Sequence, residues 1–294
     1  MAREKIFTEA VCADIERFML YFAKACSAGT VLLLIAMLLI ATDAVDAQIT
    51  PQQQNDHSSP RTSQPQIVPP PPNYHFPNGK TLAFTAEWHV FTAGTATIKV
   101  EPDGAFEKVT MTANSAGAVN LLFPVRDMFE TRIDPRTYCT TQIFKHAEEG
   151  KRKRETQIQI DLVRRKSILD EKNLQTGATK HEENDVPGCT TDVLSGFFYV
   201  GSRPLQPGSN VEFPVTDGGK TTLAVAHVEG REQVKVPAGT FQTLRVSVEA
   251  TTGKLQGRGQ LMVWFTDDAD HMPVQMRAKV QWGIVAFRLQ RVEN

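Results

Sequence analysis

The sequence lacks several features that would indicate a function directly. Its 32 basic and 33 acidic residues leave a formal net charge of −1, without the basic excess that is typical of nucleic-acid-binding proteins. Its four cysteines form no Cys-x-x-Cys motif, which argues against thioredoxin-like redox chemistry. No two of its seven histidines have zinc-motif spacing, and no Gly-x-Ser-x-Gly motif occurs. We therefore predict no nucleic-acid partner, no metal site, no cofactor and no catalytic residue.

The N-terminal 47 residues have the pattern of a secretory signal peptide. An apolar run at residues 28–41 follows a basic segment, and Val45 and Ala47 supply the small or apolar residues of a cleavage site. The run has about 14 apolar residues, fewer than the ~20 that a membrane-spanning helix needs. The long basic segment also fits an amphipathic helix ahead of an uncleaved membrane anchor, or a mis-chosen start codon. The protein is expected in the periplasm or cell envelope, with an inner-membrane anchor as the alternative.

Residues 48–78 are predicted to be a disordered linker. They are rich in Gln, Pro, Ser and Asn, they end in four prolines at 69–72, and they show no apolar periodicity. The prolines favour an extended, semi-rigid spacer. The segment is either a stalk or a disordered N-terminus of the mature chain with no role.

Residues 79–294 are predicted to form a β-rich exported domain. Apolar and polar residues alternate with period two over short runs joined by short turns, the pattern of half-buried antiparallel strands. One segment, residues 192–202, has apolar residues at helical spacing, with Asp192 as a possible N-cap and Arg203-Pro204 after it. The fold class is therefore mainly β, a large antiparallel meander forming a curved sheet or half-barrel with one apolar helix packed on it. The predicted strands are residues 81–91, 94–101, 106–116, 120–134, 138–147, 153–162, 166–170, 212–215, 221–229, 232–236, 240–250, 259–266, 273–280 and 284–292.

Several short motifs occur in the order found in one bacterial family of exported proteins. They are Ala83-Phe84-Thr85-Ala86-Glu87-Trp88 with Gly94-Thr95-Ala96, Asp192-Val193-Leu194-Ser195, Leu205-Gln206-Pro207-Gly208, Val236-Pro237-Ala238-Gly239-Thr240-Phe241, Val263-Trp264-Phe265-Thr266-Asp267-Asp268, Met272-Pro273-Val274 and Gly283-Ile284-Val285. Together they resemble the domain of unknown function numbered 3108 (DUF3108). The resemblance implies an exported, β-rich protein similar to the half-barrel carriers of the periplasm. It brings no established activity and no catalytic residues, and Arg203 matches the arginine expected after the helix.

Cys139 and Cys189 lie in the predicted exported domain. An oxidising compartment favours a disulfide between them, which would tie the strand that begins near Tyr138 to the start of the helix. Two separately buried thiols are the alternative.

A cluster of aromatic residues is the best candidate for ligand binding. A sheet of this size either fills its concave face with side chains or leaves a pocket there. The same side chains would otherwise simply form the core. The candidates are Phe197, Phe198, Tyr199, Trp264 and Trp282, with Leu121, Leu122, Phe123 and Phe129 near them.

Other polar groups are better explained as structural. Asp192 is expected to cap the helix and to meet Arg203 or another arginine, and Ser195 is expected to pack within the helix. The acidic turn at Asp267, Asp268, Asp270 and His271 is interpreted as a solvated turn rather than a calcium site. The basic run at 145–154, near Arg164-Arg165-Lys166, either keeps a hairpin soluble or contacts anionic lipid or polysaccharide.

Three functions are compatible with the sequence. The first is a non-enzymatic envelope protein that binds or carries a lipid, amphiphile or glycan in the concave face, with the helix as plug or lid. The second is a structural or assembly factor that contacts envelope proteins through its stalk and sheet edges. The third is a hydrolase of envelope polymers, which would need a converging catalytic pair that the sequence does not reveal.

Overall fold

The computed structural model describes residues 65–72, 74–89, 91–251, 260–280 and 283–293. The predicted signal peptide, residues 48–64 of the predicted linker and Trp282 lie outside these ranges. No helix within them is long and apolar enough to cross a membrane. The strands and helices are β1 (Thr81–Trp88), β2 (Phe91–Asp103), β3 (Phe106–Ser115), α1 (Gly117–Leu122), β4 (Val125–Ile133), β5 (Thr140–Glu149), β6 (Arg152–Asp161), β7 (Lys166–Asn173), β8 (Thr179–Asp185), α2 (Val193–Gly201), β9 (Asn210–Thr216), β10 (Thr221–Val236), β11 (Gly239–Ala250), β12 (Gln260–Thr266), β13 (Pro273–Val280) and β14 (Gly283–Glu293).

The described strands form a single antiparallel sheet in the order β8-β7-β6-β5-β4-β3-β2-β1-β14-β13-β12-β11-β10-β9. Strand β1 lies in the middle of the sheet, and β2 to β8 follow one after another to one edge. The chain then crosses through α2 to β9 at the other edge, and β10 to β14 return to the middle. There β14 pairs with β1, from Thr81 opposite Glu293 to Trp88 opposite Val285. The predicted antiparallel meander is confirmed.

Alternation along the strands places one face of the sheet on the core. The central strands contribute Phe84, Val109 and Val246, each no more than 1% exposed. Helix α2 packs on this face, where Gly196 lies so close to β9 that a Cβ atom there would come within 2.9 Å of the Phe213 ring. A glycine is therefore needed at the point where the helix meets the sheet.

The segment before α2 connects the two halves of the sheet. Thr140 of β5 donates its backbone N–H to the carbonyl of Thr190 (2.9 Å), while Thr191 donates to Pro214 of β9 (3.0 Å) and accepts from Thr216 (2.7 Å). The sheet is not closed into a barrel, since no strand pairing joins β8 to β9 among the described residues. Residues 190–191 thus cover only the last part of the β9 edge.

Three elements differ from the sequence prediction. Strand β8 was not predicted, because Thr179–Asp185 is polar throughout and an edge strand has little to bury. Helix α1 occupies Gly117–Leu122, part of which was predicted as strand. Strand β10 is continuous over Thr221–Val236, because a register shift between Val228 and Gly230 bends it without ending it.

The described end of the predicted linker packs on the domain. Ile67 is only 8% exposed, and the backbone N–H of Val68 donates to the Tyr199 hydroxyl at 3.1 Å. The Phe76 ring stacks on Tyr138 with centroids 5.1 Å apart. This packing was not predicted, because the single apolar pair Ile67-Val68 between prolines is too short to show a periodicity. The described residues 65–72 and 74–78 are therefore anchored to the domain.

Candidate functional site

The N-terminus of α2 is held by a buried carboxylate. One oxygen of Asp192 accepts the backbone N–H of Leu194 at 2.8 Å, as an N-cap does. The other accepts hydroxyl groups from Thr131 (2.6 Å), Thr140 (3.1 Å) and Ser195 (2.8 Å). Ser195 completes a capping box by accepting the backbone N–H of Asp192. The hydroxyls of β4 and β5 therefore fix where the helix begins, and Ser195 belongs to this structural network.

Arg203 does not meet Asp192, because the length of α2 separates them. Its guanidinium lies over the Tyr199 ring, 5.0 Å from the centroid, and donates to the Pro69 carbonyl at 3.0 Å. It also donates to the Ser202 hydroxyl. Arg203 thus connects the C-terminus of the helix to the segment at 65–72.

The five predicted ligand-binding residues do not share one site. Phe197 and Phe198 belong to α2, and Phe197 packs on Phe265 of β12 with ring centroids 5.3 Å apart. Trp264 lies on the opposite face of β12 from Phe265, beneath Arg277 and donating to the Glu232 carboxylate. Adjacent strand residues point to opposite faces, so Trp264 cannot line the concave side with Phe265. Trp282 lies outside the described residues.

The space beside Phe197 and Phe198 is small. A crevice of about 30 Å³ is lined by these two rings, Leu82, Phe265 and the turn before β13. This volume holds about one water molecule. The described residues around the helix therefore form a filled core at this place, and α2 is a plug.

A larger groove lies on the other side of α2, along the edge strand β9. It has a volume of about 450 Å³ and is lined by Gln66, Val68, Tyr199, Arg203, Pro204, Gln206, Ser209, Asn210, Val211 and Glu212. Two of the residues singled out from the sequence, Tyr199 and Arg203, line it. Pockets that bind small molecules usually have about 300–1,000 Å³, so this groove is large enough to bind a ligand.

Among the described strands, none pairs with the edge of β9 beside this groove. The C=O of Pro214 and the N–H of Thr216 point away from β10 and form hydrogen bonds with Thr191. By alternation, the N–H and C=O groups of Asn210 and Glu212 point to the same side. Among the described residues, no backbone hydrogen bond reaches the N–H or C=O of Glu212 on that side. Pro214 within a strand was the sequence signal for an edge, since proline is tolerated there.

The far end of the concave face is less filled than the end closed by α2. The pairing register places Met111, Phe129, Met276 and Phe287 on the same face as the core, and all four are half-buried. Asp127 also points to this side, and its carboxylate accepts the backbone N–H of Glu148 at 3.0 Å. Burial, and secondarily the charge of Glu149, raise the pKa of Asp127 to about 6.

The remaining polar candidates contact neighbouring protein groups. In the acidic turn, Asp267 pairs with Arg231 (2.7 Å), Asp270 with Lys80 (3.2 Å), and the His271 ring bonds to the Gly201 carbonyl. Within the described residues, no three His, Cys, Asp or Glu side chains are grouped so that they could hold a metal ion.

The basic run is largely paired within the β5–β6 hairpin and with β7. Lys153 pairs with Glu148 at 2.8 Å, and Arg154 pairs with Glu171 at 3.0 Å. Lys151, at the tip, is exposed.

The disulfide Cys139–Cys189 is present and joins the loop before β5 to the segment before α2. It lies beside the Thr140–Thr190 hydrogen bond. The sequence prediction of this pairing is confirmed.

Comparisons with known proteins identify a family and a fold. The model of a protein family of unknown function, DUF3108, matches residues 83–290. A beta-barrel-like protein of domain of unknown function DUF1849 from Brucella abortus is similar in structure, with a TM-score of 0.54 and 6% identity, over 78% of this chain and 98% of that chain. At this identity, the similarity concerns the fold alone.

Two further solved structures are matched with lower scores. One is a candidate exported protein with a YmcC-like fold from Bacteroides fragilis (TM-score 0.29, 11% identity, covering 74% of this chain and 96% of that chain). The other is a candidate lipoprotein from Parabacteroides distasonis (TM-score 0.28, 8% identity, covering 78% and 99%). No curated protein matches the sequence significantly.

Proposed function

Starting from the fact that this chain belongs to DUF3108, a family of unknown function, we propose that it is a non-enzymatic binding protein of the cell envelope. In this proposal it holds an extended polypeptide segment against the β9 edge, as a structural or assembly factor would. The N-terminal signal pattern and the disulfide support the envelope location.

The observation that carries this proposal is the combination of an unpaired strand edge with a groove. An extended peptide adds to such an edge through main-chain hydrogen bonds. Glu212 offers one N–H and one C=O for this purpose. Asn210, two residues earlier on the same strand, offers a second pair. The groove of about 450 Å³ lies beside these groups.

The walls of the groove are suited to the side chains of such a segment. Val68 and Val211 provide apolar surface, and the buried ring of Tyr199 forms the floor. Glu212 is exposed and makes no ion pair with a described residue, so it favours a basic side chain in the bound segment. Arg203 is already engaged with Pro69 and Tyr199 and serves to hold the wall in place.

The test is a selection of random 12-residue peptides on the full exported protein. The selected peptides are then measured against two variants at the same position. Glu212→Pro removes the N–H at the free edge, where proline does not disturb pairing with β10. Glu212→Ala removes only the carboxylate and is the matched control.

We expect Glu212→Pro to weaken peptide binding at least tenfold, corresponding to one main-chain hydrogen bond and the steric effect of the ring. Glu212→Ala should change binding by less than about threefold for peptides without a basic residue at the contact. Equal binding to both variants, or no selected peptide at all, would contradict the proposal. Thermal unfolding of each variant verifies that the domain is folded.

A second candidate function is the binding of an amphiphile on the concave face. The half-buried side chains Met111, Phe129, Met276 and Phe287 at the end away from α2 favour it. Native mass spectrometry with lipid extraction on protein purified from the periplasm tests this function. A stoichiometric amphiphile that is lost in Phe129→Asp would support it, and a clean apo mass would leave the edge groove as the binding site.

The hydrolase interpretation receives no support from the groove. Its described lining contains one carboxylate, Glu212, and no histidine or cysteine. The minimum for such chemistry is a pair of converging carboxylates, or a nucleophile with a base within hydrogen-bond reach.

A further inference from the structure

Helix α1 is unusual for a surface helix because none of its residues is buried although most are apolar. Its sequence is Gly-Ala-Val-Asn-Leu-Leu. Leu121 is 85% exposed and Leu122 is 43% exposed. Two adjacent leucines held out in water by a folded helix are uncommon in a soluble domain and mark an interaction surface when they belong to a larger patch.

The patch continues along the same end of the sheet. Helix α1 follows β3 and contacts the beginning of β2, where Phe91 is 42% exposed. Strand β14 begins at this end as well, and its Ile284 is 55% exposed. Gly283, the residue before Ile284, lies against the end of β1, since a Cβ atom on Gly283 would be 3.2 Å from the indole nitrogen of Trp88. The exposed apolar residues therefore lie along one rim of the sheet, at the end where β2 and β14 begin and where α1 follows β3.

Basic side chains flank this rim. Arg126, Lys151 and Lys279 are exposed, and none of them forms an ion pair with a described carboxylate. The β5–β6 turn that carries Lys151 contacts α1's side of the rim, because Gly150 donates its N–H to the Pro124 carbonyl at 2.8 Å. The nearby Glu148 and Glu149 are paired with Lys153 and Arg152. The unpaired charge next to the apolar rim is thus mainly positive.

We propose that this rim, formed by Leu121, Leu122, Phe91 and Ile284 with the adjacent basic side chains, docks on an anionic lipid bilayer. Apolar side chains insert between the headgroups while the lysine and arginine side chains lie at the level of the lipid phosphates. A bilayer fits better than a protein partner because the apolar residues belong to three separate elements, α1, β2 and β14, and have exposed cations beside them. Docking through this rim leaves the β9 edge accessible. The proposal therefore does not depend on whether the β9 edge binds a peptide.

The experiment places a fluorophore at the rim and measures its quenching by lipid. The full exported protein carries Cys12→Ser and Cys26→Ser, together with Leu121→Cys labelled with bimane, while the Cys139–Cys189 disulfide stays intact. The matched control is Val163→Cys, since Val163 is also aliphatic and is 95% exposed, but lies in the β6–β7 turn at the opposite end of the strands. Vesicles contain phosphatidylglycerol or phosphatidylcholine with brominated acyl chains.

We expect phosphatidylglycerol vesicles to quench the label at 121 and not the label at 163. Phosphatidylcholine vesicles should need at least tenfold more lipid for the same quenching at 121. Neutralising two cations in Arg126→Gln/Lys151→Gln should raise the half-maximal lipid concentration about 30-fold, and Arg164→Gln/Arg165→Gln at the opposite end should leave it unchanged. Equal quenching at the two positions, or quenching at 121 that does not depend on lipid charge, would overturn the proposal. Because the two labelled variants differ only in the position of the label, an N-terminal anchor affects them alike.

Discussion

Breaking the Cys139–Cys189 disulfide should lower the free energy of unfolding by about 4 kcal/mol. The two cysteines are 50 residues apart in the sequence. Closing a loop of this length removes roughly 14 cal/mol/K of entropy from the unfolded chain, which is about 4 kcal/mol at 25 °C.

The folded state should change little when the bond is broken. The backbones on either side are already joined by the hydrogen bond from Thr140 to Thr190, and Thr191 is fixed to β9 by two more. Cys139 is only 4% exposed, so its thiol remains packed. The loss of stability therefore comes from the unfolded chain, which gains freedom when the loop is opened.

The assay compares oxidised protein, protein reduced with dithiothreitol, and the double variant Cys139→Ser/Cys189→Ser by calorimetry and urea unfolding. For the roughly 230 residues from position 65 onward, an unfolding entropy of about 2.1 cal/mol/K per residue gives about 480 cal/mol/K, so 4 kcal/mol corresponds to about 8 °C in Tm. The reduced protein and the double variant should agree. A loss below about 1 kcal/mol would refute the loop-entropy argument.

Three further perturbations test individual contacts. Asp192→Asn should cost about 3 kcal/mol by urea unfolding, because an uncharged amide has only one acceptor oxygen, so either the Leu194 N–H or the three hydroxyl groups lose their acceptor. Val193→Asn on the exposed side of the same helix should cost less than about 1 kcal/mol. Asp127→Asn should stabilise the protein at pH 7 and have no effect near pH 4. The pKa of Asp127 is about 6 in the folded state, so the folded state holds the proton more tightly than the unfolded chain does. The wild type therefore loses stability as the pH rises from about 4 to 6. A difference that grew on acidification would contradict this sign. Tyr199→Phe should remove about 1 kcal/mol and speed amide exchange at Val68, whose N–H bonds to the Tyr199 hydroxyl; unchanged exchange would show that this bond does not hold residues 65–72.

Local alternation predicted most strands because half-buried strands must place apolar residues on one face. The strand at Thr179–Asp185 escaped prediction for the same reason, since its residues are polar on both faces at the edge of the sheet. The helix at 192–202 was predicted from its apolar spacing and its Asp192 cap, and α2 occupies Val193–Gly201.

The candidate site was less predictable because it depends on contacts distant in sequence. Residues 190–191 pair with one part of the β9 edge and leave the rest of it unpaired. The local sequence of Asn210–Thr216 does not indicate which part is covered. Trp264 was assigned to the concave face because it is aromatic. Its neighbour Phe265 packs on α2 at that face, so Trp264 points to the opposite one. Ile67 and Val68 are a single apolar pair between prolines, too short to show a periodicity, so the burial of Ile67 against the domain had no sequence signal.

The central pairing of β1 with β14 has a consequence for how the chain is produced. A polypeptide delivered with its N-terminus first can form the β1–β8 hairpins as it emerges, since each pairs with its neighbour in sequence. The second edge of β1 must wait for β14, about 200 residues later. During that interval Leu82 and Phe84 belong to an open edge in the middle of the future sheet, which is the point most vulnerable to pairing with another nascent chain. The strand β14 therefore completes the centre of the sheet long after β1 has emerged, and a truncation that removes β14 would leave this central edge exposed.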